Sequence, residues 1–286
     1  MTGAAAARTA GKIAGIDRLA RERPEYREIL SVFREVFGYV AGKEEATGIA
    51  FAVPGVGGRA SRTAAGLPLV APDAVRVDGA KASAFLAGLL AVMERVGTEG
   101  RGELAAMGRA LADGALDLTA LFSACLARER GVLTGVAAAV SVSPSLLEFI
   151  LEIPLKTALE DVAASVDPGA FDGWMHGHCP VCGGRPGMDE LVGEEGRRYL
   201  SCSGCFFKWP FKRLKCPYCG TEDPASLSYF AAGDGPTRVG VCRGCARYIK
   251  TRDSRAGRAD VPLEVEDLAT LHLDLMASRE GFERGR

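Results

Sequence analysis

A multi-domain chain is predicted: an all-α N-terminal helical domain, then two tandem four-cysteine modules, then a C-terminal helix. Three observations carry this. Eight of the nine cysteines of this 286-residue chain fall between Cys179 and Cys245. Before about residue 170 the apolar residues recur at helical spacing, and the periodicity stops where the cysteines begin. The composition, 48% hydrophobic but only 7% aromatic, favours close-packed helices over a large β-sandwich. The expected division is residues 1–170, 171–258 (modules of about 171–212 and 213–258) and 259–286.

From Ile16 to Val40 the residues Leu19, Tyr26, Ile29, Leu30, Phe33, Val36, Phe37 and Val40 trace one amphipathic stripe. A helix entered through Pro24 and stopping near Gly42 is predicted. Val53–Pro72 is rich in proline and glycine and reads as a loop. Helices follow at about Lys81–Val96, Gly102–Asp113 and Leu116–Arg130. Ser143 is placed as an N-cap, with Pro144 at the first helical position. That helix should kink at Pro154 and end at Asp167-Pro168-Gly169. The first 170 residues therefore read as a bundle of five or six helices. Beyond them, short strands are expected at Arg198–Ser201, Leu227–Phe230, Arg238–Val241 and Arg247–Thr251. Leu268, Leu271, Leu275 and Met276 mark a final helix, with Glu264, Glu266 and Asp267 suited to its N-terminal end.

Composition also excludes function classes. A formal net charge of -1 argues against a protein that coats nucleic acid. The N-terminus has no apolar run of secretory type. The longest apolar stretch, Phe85 to Met93, is interrupted by Gly88, and a membrane span needs about 20 residues. No membrane insertion and a cytoplasmic location are expected. In a reducing compartment such cysteines are metal ligands or redox groups, not a disulfide framework.

The chemistry lies in four C-x-x-C pairs: Cys179/Cys182, Cys202/Cys205, Cys216/Cys219 and Cys242/Cys245. Two sulfurs three residues apart on a tight turn can reach one metal ion, and amides of the turn offset their charge. Gly183 and Gly220 supply the positive φ that closes such a knuckle. Two knuckles make a tetrahedral four-cysteine site. The gaps of 19 and 22 residues inside each half fit a hairpin, as in rubredoxin-like and zinc-ribbon modules. CPVCGG aligns with CPYCGT, and RRYLSCSGC with TRVGVCRGC, at offsets of 37 and 40 residues. This repeat favours tandem pairing over an interleaved, RING-like one. Cys179, Cys182, Cys202 and Cys205 would hold one metal, and Cys216, Cys219, Cys242 and Cys245 a second. Tetrahedral thiolate accepts iron or zinc, and the residues do not choose between them.

The remaining reactive residues have plainer readings. Cys125, on an apolar helix, is expected to be a core thiol. His176 and His178 are expected to be loop residues, and His272 structural. Residues 171–258 carry 14 basic and nine acidic residues, with Phe206, Phe207, Trp209, Phe211 and Tyr218 interleaved. That pattern is compatible with a nucleic-acid surface. A divalent metal with four thiolates carries -2, however, so two sites cancel most of the excess. Nucleic-acid binding is disfavoured, and much of the basic character is expected to compensate the clusters.

The motifs resemble those of FdhE, the formate dehydrogenase accessory protein family. The likeness rests on His178-CPVCGG-Arg185-Pro186, Arg198-Tyr199-Leu200-Ser201-CSGC, Trp209, Lys215-CPYCG, Tyr229 and CRGC-Ala246-Arg247-Tyr248-Ile249-Lys250. The tail agrees in Asp267 to Leu271, Asp274, Met276 and Glu280-Gly281-Phe282. The stretch Phe206-Phe207-Lys208-Trp209 departs from the family, where a more acidic approach to the tryptophan is expected. The resemblance implies a cytoplasmic, non-enzymatic protein that helps to make active formate dehydrogenase and contacts its catalytic subunit. It also implies rubredoxin-like centres of iron on the eight cysteines. The sequence is compatible with a homodimer. Two alternatives stand beside this reading: a zinc-ribbon nucleic-acid binder and a rubredoxin-type electron-transfer protein. No Ser/His/Asp or carboxylate constellation suggests catalytic residues.

Overall fold

The protein is described by a computed structural model over residues 2–97, 100–231, 235–257 and 259–285. Arg258, one of the basic residues counted above, lies outside the described residues. Two compact units are present. One comprises Met1–Val53 and Val70–Val162, and the other Pro54–Leu69 and Ala163–Arg286.

The first unit is helical. It opens with α1 (Thr2–Glu22) and α2 (Arg27–Val40), separated by a 3-10 turn at Pro24–Tyr26. The helix expected to be entered through Pro24 is thus α2, and the residues before it form the separate helix α1. Pro24 has no amide to continue the ladder, and it forces Arg23 out of the helical region, to φ -130° and ψ 73°. A short antiparallel pair follows, β1 (Ile49–Phe51) against β2 (Val75–Val77). The segment between these strands contains α3 (Val56–Ala64), which belongs to the second unit. A helix thus forms inside the segment read as a loop. Gly55 leads into it, and Gly66, at φ 67°, follows it.

The bundle continues with α4 (Gly79–Val96), α5 (Arg101–Ala112), α6 (Leu118–Ala127), α7 (Arg130–Ala139) and α8 (Pro144–Ala164). Asp78 and Asp117 cap α4 and α6 through side chains that accept from the amides of Lys81 and Ala120. Ser143 stands at the N-cap position of α8, with Pro144 as the first helical residue, and its carbonyl accepts from the Leu147 amide at 3.1 Å. Its hydroxyl donates to Glu103 Oε2 at 2.8 Å. The helix runs on through Pro154 without a break. Gly88 interrupts the apolar run of α4 for a packing reason. A Cβ there would lie 2.2 Å from Tyr39 Oη, and that hydroxyl donates to the Phe85 carbonyl at 2.8 Å. Leu30, Leu86, Leu89, Met107, Leu121, Phe122, Leu147 and Ile150 form the buried interior.

The second unit is built on a sheet of seven strands. They are β3 (Pro186–Val192), β4 (Arg197–Cys202), β5 (Lys208–Pro210), β6 (Leu227–Phe230), β7 (Thr237–Cys242), β8 (Arg247–Asp253) and β9 (Glu283–Arg284). Their order is β5-β4-β3-β8-β7-β6, with β9 added to β8. Each cysteine repeat contributes an antiparallel three-stranded piece, and β3 joins β8 in parallel. The expected strands all form. β3 was hidden by its polar residues Asp189 and Glu190, which are buried because each meets a cation. Asp189 pairs with Arg198, and Glu190 with Arg252 and Lys208. The tail makes two short helices, α9 (Leu263–Ala269) and α10 (Leu271–Arg279), broken at Thr270. Leu273 and Ala277 of α10 close a core with Val239, Val241 and Tyr248 of the sheet. No single helix among the described residues is long and apolar enough to cross a membrane.

Candidate metal centre

Each hairpin delivers a knuckle to its partner. β4 ends on Cys202 and β7 on Cys242, so the return strand of each module carries its second cysteine pair back toward the first. The turns close by backbone bonds. The amides of Gly183, Phe206 and Gly220 donate to the carbonyls of Cys179, Cys202 and Cys216 at 2.9, 3.2 and 3.0 Å. In all four knuckles the residue after the second cysteine has positive φ: 71° at Gly183, 55° at Phe206, 78° at Gly220 and 53° at Ala246. Glycine marks only two of these places. The other two were legible only as positions in the repeat.

The eight cysteines come together as two groups of four. Cys179, Cys182, Cys202 and Cys205 form the first cluster, and Cys216, Cys219, Cys242 and Cys245 the second, with all sulfurs of a group within 4.8 Å of one another. The pairing is tandem. In the first cluster Sγ–Sγ distances are 3.5 Å for Cys179–Cys205, 3.4 Å for Cys182–Cys202 and 3.5 Å for Cys182–Cys205. In the second they are 3.8 Å for Cys216–Cys245 and 3.7 Å for Cys219–Cys242. A tetrahedral metal with bonds of about 2.3 Å to sulfur has S–S edges of about 3.8 Å, so both clusters fit one ion each. Amides point at the sulfurs as knuckle geometry requires. Val181 donates to Cys179, Gly204 to Cys202 and Tyr218 to Cys216, at 3.4, 3.3 and 3.4 Å.

The electrostatics say the same. Burial pushes the Cys179 and Cys205 thiols well up. Burial also works against Cys202, but hydrogen bonds from Cys179 and Cys182 hold its thiol well below the ordinary value. A divalent ion among four such buried sulfurs would let all of them ionise. In the second cluster burial raises Cys216 and Cys245, while the amide of Thr221 helps to lower Cys219.

The other singled-out residues lie elsewhere. Cys125 sits in α6, half-buried, its thiol pushed up to about 12 by burial. His176 and His178 join neither cluster. Their rings pack against Trp174 at 4.8 and 5.2 Å, and His178 Nε2 is 3.2 Å from the Gly66 carbonyl. Several of the basic residues pair with carboxylates. Lys250 meets Asp267 and Asp274, Arg252 meets Glu190, Arg198 meets Asp189, and Arg255 meets Asp253. Of the interleaved aromatic residues, Trp209, Phe207 and Phe211 are buried, while Phe206 and Tyr218 are half-buried.

Residues 178–213 match the family model described as FdhE, central domain. The family this chain resembles is FdhE. The chain is 34% identical over 145 residues to a protein FdhE homolog of Aquifex aeolicus, covering 49% of this chain and 50% of that one. It is 38% identical over 117 residues to a protein FdhE homolog of Pseudomonas putida, covering 37% and 36%. It thus spans half or less of these curated relatives. The crystal structure of the FdhE protein from Pseudomonas aeruginosa matches with a TM-score of 0.70 at 22% identity, over 97% of this chain and 93% of that one. The fold is therefore the one seen in that structure, and in this chain it places two four-cysteine clusters in a sheet-rich part that follows the helical N-terminal region.

Proposed function

We propose that this chain is a non-enzymatic, cytoplasmic accessory protein for formate dehydrogenase. It would bind the catalytic subunit of that enzyme and carry one metal ion in each four-cysteine cluster. One observation carries the reading: a complete cysteine tetrahedron stands inside the segment that matches the FdhE central domain, and a second repeats it. The ligands would be Cys179, Cys182, Cys202 and Cys205 for one ion and Cys216, Cys219, Cys242 and Cys245 for the other. A bound ion cross-links turns too short to hold themselves, so its binding energy becomes folding energy. Iron follows from the family resemblance, and zinc suits the same sulfurs.

Anaerobic co-purification with a formate dehydrogenase catalytic subunit tests the docking. A complex is expected with the parent chain and should weaken with Cys→Ser changes in either cluster. Absence of any complex with the parent chain would sink it. Metal analysis with a visible spectrum settles the ion, since tetrahedral ferric thiolate is coloured and zinc is not. The amides donated to Cys179, Cys202 and Cys216 also suit a rubredoxin-type electron carrier. That second reading requires a spectrum that bleaches reversibly on reduction.

A further inference from the structure

The two clusters repeat each other in sequence but differ in how they are covered. All four cysteines of the first are buried, at 0%, 6%, 1% and 2% exposure for Cys179, Cys182, Cys202 and Cys205. In the second, Cys216 and Cys242 are buried, Cys245 is half-buried and Cys219 is exposed. The difference has a visible cause. The first knuckle lies under the inserted segment Pro54–Leu69. The Leu69 amide donates to the Pro180 carbonyl at 2.9 Å, and a Cβ on Gly183 would lie 3.2 Å from Pro68 Cγ. Gly220, its counterpart in the third knuckle, has no such cover: a Cβ there would meet nothing within 4 Å.

Ligand exchange at a tetrahedral thiolate centre needs an approach path and a ligand free to leave. The second cluster offers both at Cys219, and the first offers neither. We infer that the second cluster is the exchangeable metal centre and the first the retained one, with Cys219 as the ligand that yields to an incoming thiol. The incoming sulfur bonds to the metal as the bond to Cys219 Sγ breaks. The proton lost by the incoming thiol passes to Cys219, and no electron changes hands. This inference rests on the metal reading above and gives the two ions different roles. One holds the fold, and the other is open to small thiols or to cysteines of another protein.

The full chain loaded with two zinc ions, mixed with glutathione and the chromogenic chelator 4-(2-pyridylazo)resorcinol, tests this. One equivalent of zinc should appear at least about tenfold faster than the other, a barrier lower by about 1.4 kcal/mol. Cys219→Ser should abolish the fast phase, and Cys182→Ser the slow one. Iodoacetamide labelling of the unaltered loaded chain, read peptide by peptide, needs no variant to fold. Cys219 should be alkylated before any cysteine of the first cluster. Release of both ions at one rate, or equally early labelling of Cys179–Cys205, would overturn the inference and leave the metal reading standing. A chain that takes up no metal would overturn both.

Discussion

Tyr218, in the third knuckle, donates its hydroxyl to the carbonyl of Pro186, the first residue of β3, at 3.1 Å. A side chain of the second module thus satisfies the backbone of the first. Burial drives the phenol well above its ordinary range, so it is a donor at every working pH. Tyr218→Phe should cost about 1 kcal/mol in urea denaturation of the loaded chain. A midpoint and slope equal to the parent's would show that the bond contributes nothing.

The same ring leaves no room beside it. A Cβ at Gly285 would fall 2.1 Å from Tyr218 Cζ. Gly285→Ala should therefore displace the tail strand and lower stability by about 1–3 kcal/mol. Thermal melts of the two chains check it, and an unchanged melting temperature would contradict the packing.

Ala246 holds φ 53°, a conformation costly to any residue with a Cβ. Ala246→Gly should stabilise the fourth knuckle by up to about 1 kcal/mol, reduced by the greater freedom glycine has when unfolded. Phe206, at φ 55°, is a poorer place for the test, because its removal also deletes an aromatic side chain. The outcome to look for is a raised melting temperature with unchanged metal content.

Lys250 is fully buried, with Nζ 2.6 Å from Asp267 Oδ1 and 2.6 Å from Asp274 Oδ2. Lys250→Met would leave Arg284 as the one cation shared by Asp267 and Asp274 and should cost about 3 kcal/mol. Burial alone would raise Asp267, but Lys250 and Arg284 beside it hold the carboxyl below the usual range. Its folded value is therefore lower than the unfolded value of about 3.9. The stabilisation is full above that pH and is lost as pH falls through the folded value. Asp267→Asn should flatten the acid limb of a stability-against-pH curve, and an unaltered limb would refute the assignment.

The site was far more legible than the scaffold around it. Cysteine spacing and the internal repeat carry information at fixed offsets, so both tetrads and their tandem pairing could be read directly. Strand β3 could not, because Asp189 and Glu190 break its apolar pattern and are buried only through Arg198, Arg252 and Lys208, all distant in sequence. The entry to α2 could be read from Pro24, whereas α1, rich in alanine and poor in large apolar residues, carried no clear stripe. The helix within 53–72 was masked by its flanking prolines and glycines. The exposure of Cys219 had no sequence signal. It depends on where the Pro54–Leu69 segment lies, which no local pattern records.

That segment lies between the paired strands β1 and β2, beside which the Ala52 amide also reaches the Ala74 carbonyl at 2.9 Å. The backbone therefore passes between the units three times, near residues 53, 70 and 162. No single cut separates them. A fragment starting at residue 163 would carry every cluster cysteine yet leave the first knuckle without its roof, and a circular permutant or graft would have to bring the excursion along.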